Sequence, residues 1–229
     1  MLDRSDVGAV VIGRNEGERL VRCLASVANA VKRMVYVDSG SSDGSLEAAR
    51  TAGAKVVELD PGLPFTAARA RNAGFAALME GKASAYVQFI DGDCILQPGW
   101  IATARAFLDA NPKAAVACGR RRELSPEASV YNRLCDWEWD TPVGSTKACG
   151  GDMLVRSSAF AETRGFNATL IAGEEPEFCL RLRQKGWEVW RLDTEMTLHD
   201  AAMTRFGQWW QRCRRSGHAY AEGLSLIHI

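Results

Sequence analysis

The 229 residues carry 28 basic and 28 acidic side chains, so the net charge is zero and no overall field draws the chain to nucleic acid or anionic lipid. The seven cysteines are scattered and lack a Cys-x-x-Cys pair, which argues against a disulfide framework and a zinc site and fits a reducing compartment. No run approaches the roughly 20 apolar residues of a membrane span, and Met1-Leu2-Asp3-Arg4-Ser5-Asp6 is charged where a signal peptide is apolar, so a cytoplasmic location is expected.

Val7 to Ile12 is a continuous apolar run, as in a strand buried on both faces. Leu20, Cys23, Leu24, Val27 and Val31 then recur at helical spacing. Met34 to Val37 predicts the second strand, Ser45 to Thr51 a short helix stopping before Gly53, and Lys55 to Leu59 the third strand. Thr66 is placed to cap a helix through Leu78, and Tyr86 to Ile90 reads as a buried strand. Pro98 marks a helix start, with Trp100, Ala104 and Leu108 on one face. Beyond it, Ala115 to Cys118 reads as a strand and Arg120-Arg121-Arg122 as a solvated basic turn. Tyr131 to Trp139 is aromatic and charged, and the spacing of Trp137 and Trp139 fits a half-buried strand. A strand at Met153 to Val155, a helix from Ser158 to Glu162, a helix from Pro176 to Lys185 and two strands around Val189 and Met196 complete the pattern.

Repeated β-α-β units predict an α/β fold with a mostly parallel central sheet and ligands beyond the carboxyl ends of its strands. Residues 1–223 read as a single domain. The tail 224–229, Leu-Ser-Leu-Ile-His-Ile, follows a charged helical pattern without a stop signal. It resembles an in-frame translation of a sequencing-library adapter and is read as non-native, with the natural chain expected to continue.

The strand at Tyr86 ends on Asp91-Gly92-Asp93. Two carboxylates one residue apart repel, and such a pair suits a hard divalent cation, Mg²⁺ or Mn²⁺, bound through oxygen; a solvated Asp-Gly turn is the plainer alternative. The second strand ends in Asp38-Ser39-Gly40-Ser41-Ser42-Asp43-Gly44-Ser45. Asp38 can accept a hydrogen bond from a base or ribose, and Asp43 is expected to cap the next helix. Gly13-Arg14-Asn15-Glu16-Gly17 places Asn15 and Glu16 at the same crevice. Arg71, beside Gly74, is expected to bind a diphosphate or orient Asp38, whereas Arg69 reads equally as a surface residue.

Arg-Asn-Glu after strand one, Asp-Ser-Gly-Ser-x-Asp-Gly-Ser after strand two, Ala-Arg-Asn-x-Gly and Asp-Gly-Asp together resemble family 2 glycosyltransferases of the GT-A fold, a Rossmann-like nucleotide-diphospho-sugar transferase architecture. The resemblance spans Val7 to about Gly217. It continues with Gly150-Gly151-Asp152, which looks like the family's acceptor-side loop, and with Gly173-Glu174-Glu175-Pro176, which looks like its catalytic-base motif.

The resemblance implies an inverting transfer from a nucleoside diphosphate sugar to the hydroxyl of a saccharide or lipid-linked acceptor, in cell-surface polysaccharide, lipopolysaccharide or glycolipid synthesis. Asp38 would bind the base, Asp91 the ribose or the metal, Asp93 the metal, and Glu175 would be the base. His199 resembles a late histidine that completes the metal or diphosphate site in some relatives, and a satisfied core histidine stands beside that reading. The family usually has Glu-Asp where this chain has Glu174-Glu175, so Glu174 is a second candidate base. Both also suit a helix N-terminus, where the dipole favours carboxylates.

Trp137, Trp139, Trp209 and Trp210 read as core or as an acceptor platform. The second pair, with Arg212, Arg214 and Arg215, would suit an interfacial helix at the inner face of the plasma membrane. Two rival readings remain. Gly13-x-x-x-Gly17 with Asp38 downstream partly matches a nicotinamide dinucleotide site of an NAD-dependent oxidoreductase, but the middle glycine is missing and Asp91 and Asp93 gain no role. A non-catalytic nucleotide-sugar-binding module leaves Glu174-Glu175 unexplained. No Gly-x-x-x-x-Gly-Lys is present, which excludes a P-loop enzyme.

Overall fold

The computed structural model describes residues 6–81 and 83–227. The first half is a run of β-α-β units: β1 (Val7–Gly13), α1 (Glu18–Ala28), β2 (Arg33–Asp38), α2 (Ser45–Thr51), β3 (Lys55–Glu58), α3 (Ala67–Met79) and β4 (Tyr86–Asp91). Their strands lie in the order β3-β2-β1-β4 and are all parallel. The chain order reverses between β1 and β4, so the loops after these two strands part and leave a crevice at their carboxyl ends.

The second half is mixed. It comprises β5 (Cys94–Leu96), α4 (Trp100–Ala110), β6 (Ala114–Glu123), a 3₁₀ turn (Pro126–Ala128), α5 (Val130–Glu138), β7 (Gly144–Ser145), β8 (Met153–Arg156), α6 (Ser157–Glu162), α7 (Glu174–Gln184), β9 (Glu188–His199) and α8 (Phe206–Ile227). β8 lies antiparallel between β4 and β6, β6 runs parallel to β9, and β5 and β7 both pair antiparallel with β9.

The apolar spacing read in the sequence becomes packing. α1 buries Leu20, Cys23, Leu24 and Val27 against the sheet. α3 is amphipathic through small residues, Ala68, Ala70, Gly74 and Ala77. A Cβ at Gly74 would collide with Val10 of β1, so glycine lets this helix lie close enough to aim Arg71 at the crevice. Thr66 caps α3 as expected, its hydroxyl accepting from Arg69 N at 3.1 Å. Under the opposite side of the crevice, Phe75, Phe89, Phe160, Phe166 and Phe178 form a connected aromatic cluster that seats α7 on the sheet.

Four local expectations are corrected. Arg120-Arg121-Arg122 is not a solvated turn: β6 continues through Glu123, and the Arg120 and Arg121 side chains are only 11% and 17% exposed. Trp137 and Trp139 lie at the end of helix α5, so Trp137 points to solvent at 77% exposure while Trp139 turns inward. The two strands around Val189 and Met196 are one strand, β9, whose irregular register opposite β6 absorbs its bends. Asp43 does not itself cap α2; Gly44 holds that position, and Asp43 accepts from Ser45 N and from Gly17 N across the loop. Residues 224–227 of the suspected tail extend α8, and 228–229 lie outside the described residues.

Candidate active site

The loops after β1 and β2 are stitched together. Asn15 adopts a left-handed backbone, φ 56°, its N–H donating to Ser41 Oγ at 2.9 Å and its Oδ1 accepting from Ser42 N at 2.8 Å. Asp38 is buried. Its carboxylate accepts from Tyr36 OH, Gly40 N and Ser41 N at 3.1, 2.9 and 2.8 Å. It therefore shapes the loop with all three of these partners coming from its own segment. Glu16 pairs with Arg19 at 2.7 Å, and burial together with the nearby Asp93 charge raises its pKa.

At the end of β4, Asp91 is gripped from both sides. Arg71 Nη2 donates to Oδ1 at 2.8 Å and Arg121 Nη2 to Oδ2 at 3.2 Å. Arg71 is 2% exposed, and its other terminal nitrogen reaches Glu174 at 2.8 Å and Glu175 at 3.1 Å. Burial disfavours its charge, but Asp91, Glu175 and Glu174 outweigh that cost and keep it cationic. One guanidinium thus joins Asp91 to both Glu174 and Glu175. Arg71 does not contact Asp38, which corrects the expected orienting role.

Asp152 backs this arrangement from β8. It is buried and accepts from Asp91 N, Thr197 Oγ1 and Arg121, the last at 2.8 Å. Its carboxylate is turned inward, so it braces Asp91 rather than facing an acceptor. Gly151 needs its hydrogen: a Cβ there would collide with Arg71 Nη2. Gly150 meets no such obstacle.

Asp93 lies two residues away in a different setting. β5 and β9 pair with Cys94 opposite His199, and β6 places Glu123 opposite His199 on the other side. This register sets His199 Nε2 3.3 Å from Asp93 and Nδ1 3.8 Å from Glu123. Burial works against the imidazolium, but the facing Asp93 and Glu123 carboxylates lift the His199 pKa to about 9. Burial likewise opposes the Asp93 charge, and His199 outweighs it to hold Asp93 at about 2. Trp139 closes this corner, its ring 4.8 Å edge-on from His199 and 5.5 Å from the Arg121 guanidinium.

At the start of α7, Glu174 and Glu175 divide. The Glu174 side chain is 6% exposed and that of Glu175 17%, so Glu175 is the one at the crevice wall. Burial is the main reason its pKa rises to about 7, with Arg71 opposing and Glu174 adding to the rise.

Of the expected residues, Arg71, Asp91, Asp152, Glu174, Glu175, Asp93 and His199 converge on one crevice, and Asn15 and Asp38 shape the loops at its rim. Sequence reading took Arg121 for a solvated turn residue, did not single out Glu123, and offered Trp139 only as core or acceptor platform. No local signal marks Arg121: β6 is buried on both faces up to Gly119, and its register against β9 shifts on either side of Arg120.

The family model of glycosyl transferase family 2 matches residues 9–160. The chain belongs to that family. A TPR repeat-containing protein of Synechococcus elongatus is 33% identical over 131 residues, which cover 57% of this chain and 30% of that protein; the chain thus spans under a third of that relative's length. The mannosyltransferase of Pyrobaculum calidifontis, solved with GDP-mannose and Mn²⁺, superposes with a TM-score of 0.73 at 18% identity, over 97% of this chain and 65% of its own. Glucosyl-3-phosphoglycerate synthase of Mycobacterium tuberculosis, solved with Mn²⁺ and UDP-glucose, gives 0.61 at 17% identity, over 85% and 71%. These likenesses establish the GT-A fold. The dinucleotide reading is not favoured, and the Glu16 carboxylate beside Asp93 would repel a pyrophosphate there.

Proposed function

We propose that the chain transfers a sugar, with inversion, from a nucleoside diphosphate sugar to the hydroxyl of a saccharide or lipid-linked acceptor. The observation that carries the reading is the Arg71 bridge, which sets donor-side Asp91 and the crevice carboxylate Glu175 on a single guanidinium. The loops of Asn15 and Asp38 would receive the nucleotide. Glu175 would take the acceptor proton, since a carboxyl with a pKa near the working pH combines a large charged fraction with useful basicity. Glu174, more buried and bound more closely to Arg71, would fix the guanidinium.

The donor set suits Mg²⁺ or Mn²⁺ at Asp93, and at His199 once an arriving cation has displaced its proton. Carboxylate and imidazole point at one another there, and Glu16 and Asp91 add negative charge nearby. The neighbouring Cys94 thiol is held protonated by burial and would not compete. Asp91, neutralised by two arginines, would serve the ribose rather than the cation. When bound, such a cation supplies neutralisation of the departing diphosphate. The Mn²⁺ and nucleotide sugars of the mycobacterial and archaeal neighbours support the same classes here.

Peripheral membrane contact would fall to α8, where Phe206, Trp210 and Tyr220 are 58%, 52% and 77% exposed and Arg214 and Arg215 face solvent. No helix among the described residues is long and apolar enough to cross a membrane.

The test is diphosphate release from a panel of UDP-, GDP-, ADP- and dTDP-sugars with and without Mn²⁺. Cation-dependent turnover of at least one donor is expected. Equal turnover in EDTA, or binding of a donor without turnover in the presence of any acceptor class, would contradict the proposal.

A further inference from the structure

Three cysteines with no part in this chemistry meet behind the base. Cys149 Sγ stands 3.6 Å from Cys179 Sγ, and Cys118 lies near enough to influence the Cys149 thiol. Cys179 and Cys118 are buried, and Cys149 is a partly buried residue whose thiol is pushed well up by its cysteine neighbours and by burial. Their places in the chain give the contact its consequence. Cys149 directly precedes Gly150-Gly151-Asp152, the loop that packs on Arg71 and braces Asp91. Cys179 lies on α7 one helical turn beyond Glu175.

We propose that Cys149 and Cys179 are an oxidative modification site, at which a hydroperoxide closes a Cys149–Cys179 disulfide that ties the glycine loop to the base-bearing helix. The Cys149 thiol gives up its proton, and the resulting thiolate attacks the peroxide oxygen; the departing oxygen takes up a proton. The O–O bond breaks, Cys149 becomes a sulfenic acid, and water or an alcohol departs. The Cys179 sulfur then attacks the sulfenic sulfur, the S–O bond breaks, and the hydroxyl leaves as water with the Cys179 proton. The two sulfurs together lose two electrons and the peroxide gains them.

Closing the bond shortens the gap of 3.6 Å to roughly 2.05 Å. The loop and α7 must absorb that movement between them. Gly151 lies against Arg71 with no room for a Cβ, and Arg71 holds Glu175, so the pull reaches the base. Misplacement of catalytic groups by about 1 Å costs on the order of 10²-fold. The predicted loss of transfer rests on the sugar-transfer reading above; the disulfide itself does not.

The experiment treats the reduced full chain with hydrogen peroxide and maps thiols by peptide mass spectrometry, with transfer activity measured in parallel. A Cys149–Cys179 linked peptide, reversed by dithiothreitol, is expected. It should vanish in Cys149→Ser and Cys179→Ser and persist in Cys213→Ser. Transfer should fall at least tenfold on oxidation and recover on reduction. Oxygen addition without the linked peptide, or a Cys118–Cys149 link in its place, would overturn the assignment. A linked protein with undiminished transfer would overturn its effect on the site. Should the reduced chain transfer no sugar at all, the linked peptide still decides the modification, while the functional proposal fails separately.

Discussion

Asp91 and Asp93 are separated by one glycine, yet their environments have little in common. Asp91 lies between two arginines that stay charged at any ordinary pH, with Asp152 behind it. Asp93 faces a histidine and opens on a pocket of about 420 Å³ lined also by Trp139, Gln208 and Arg212. The first corner is balanced by the protein alone and behaves as a fixed frame. The second is balanced by a titratable partner and retains a ligand face, as a cation site requires. Repulsion within the Asp-Gly-Asp motif is therefore relieved by different means at its two ends, and a cation is needed at most at one of them.

The sharpest way to break this comparison is to remove the shared cation of the fixed corner. Arg71→Met leaves Asp91, Glu174 and Glu175 as buried or half-buried carboxylates without their common partner. A loss of about 3–5 kcal/mol in urea unfolding is expected, the usual cost of stripping one member from a buried ion pair. Retention of wild-type stability would mean that the carboxylates are protonated or solvated instead.

At the open corner the expected effect is smaller. Asp93→Asn loses a charge-assisted contact with His199, worth about 1.5–3 kcal/mol, so the variant should be less stable than wild type in the absence of metal. The sequence alone suggests the reverse, a relief of repulsion. Thermal melts in EDTA decide between them, and Mn²⁺ should raise the wild-type melting temperature more than that of the variant.

pH tests the base. Glu175 has a folded pKa raised to about 7 from an ordinary 4.5. Its contribution to stability is thus complete below about 4.5 and is lost as pH rises through about 7. Transfer should move the other way, rising with pH through the same range as the carboxylate becomes charged. Glu175→Gln should flatten both profiles. A transfer rate independent of pH between 5 and 8 would remove Glu175 from the role.

The smallest effect belongs to the exposed pair of Arg50 and Glu58, 3.2 Å apart and both more than half exposed. Arg50→Ala should cost less than about 1 kcal/mol and leave transfer unchanged. A larger effect would mean that the distinction drawn between buried and solvated charges is wrong.

The parallel half of the fold was legible because buried strands are apolar on both faces and each ends on a polar turn, as at Gly13, Asp38 and Asp91. The mixed half was not. Arg121 reads as solvated until Asp91 and Asp152 are seen beside it, and those lie 30 and 31 residues away. Trp139 ends a helix whose charged residues hide its period. The His199–Asp93 contact depends on the register of β5 against β9, a non-local fact that no local pattern encodes.

The central claim is that Glu175, held by Arg71, removes the acceptor proton. The direct measurement is the single-turnover rate of sugar transfer for the wild type, Glu175→Gln and Glu174→Gln at saturating donor and Mn²⁺, with nucleotide affinity measured alongside. The account predicts a fall of roughly 10²–10⁴ for Glu175→Gln at unchanged nucleotide affinity, and a clearly smaller fall for Glu174→Gln. Full transfer by Glu175→Gln, or the larger fall in Glu174→Gln, would contradict it.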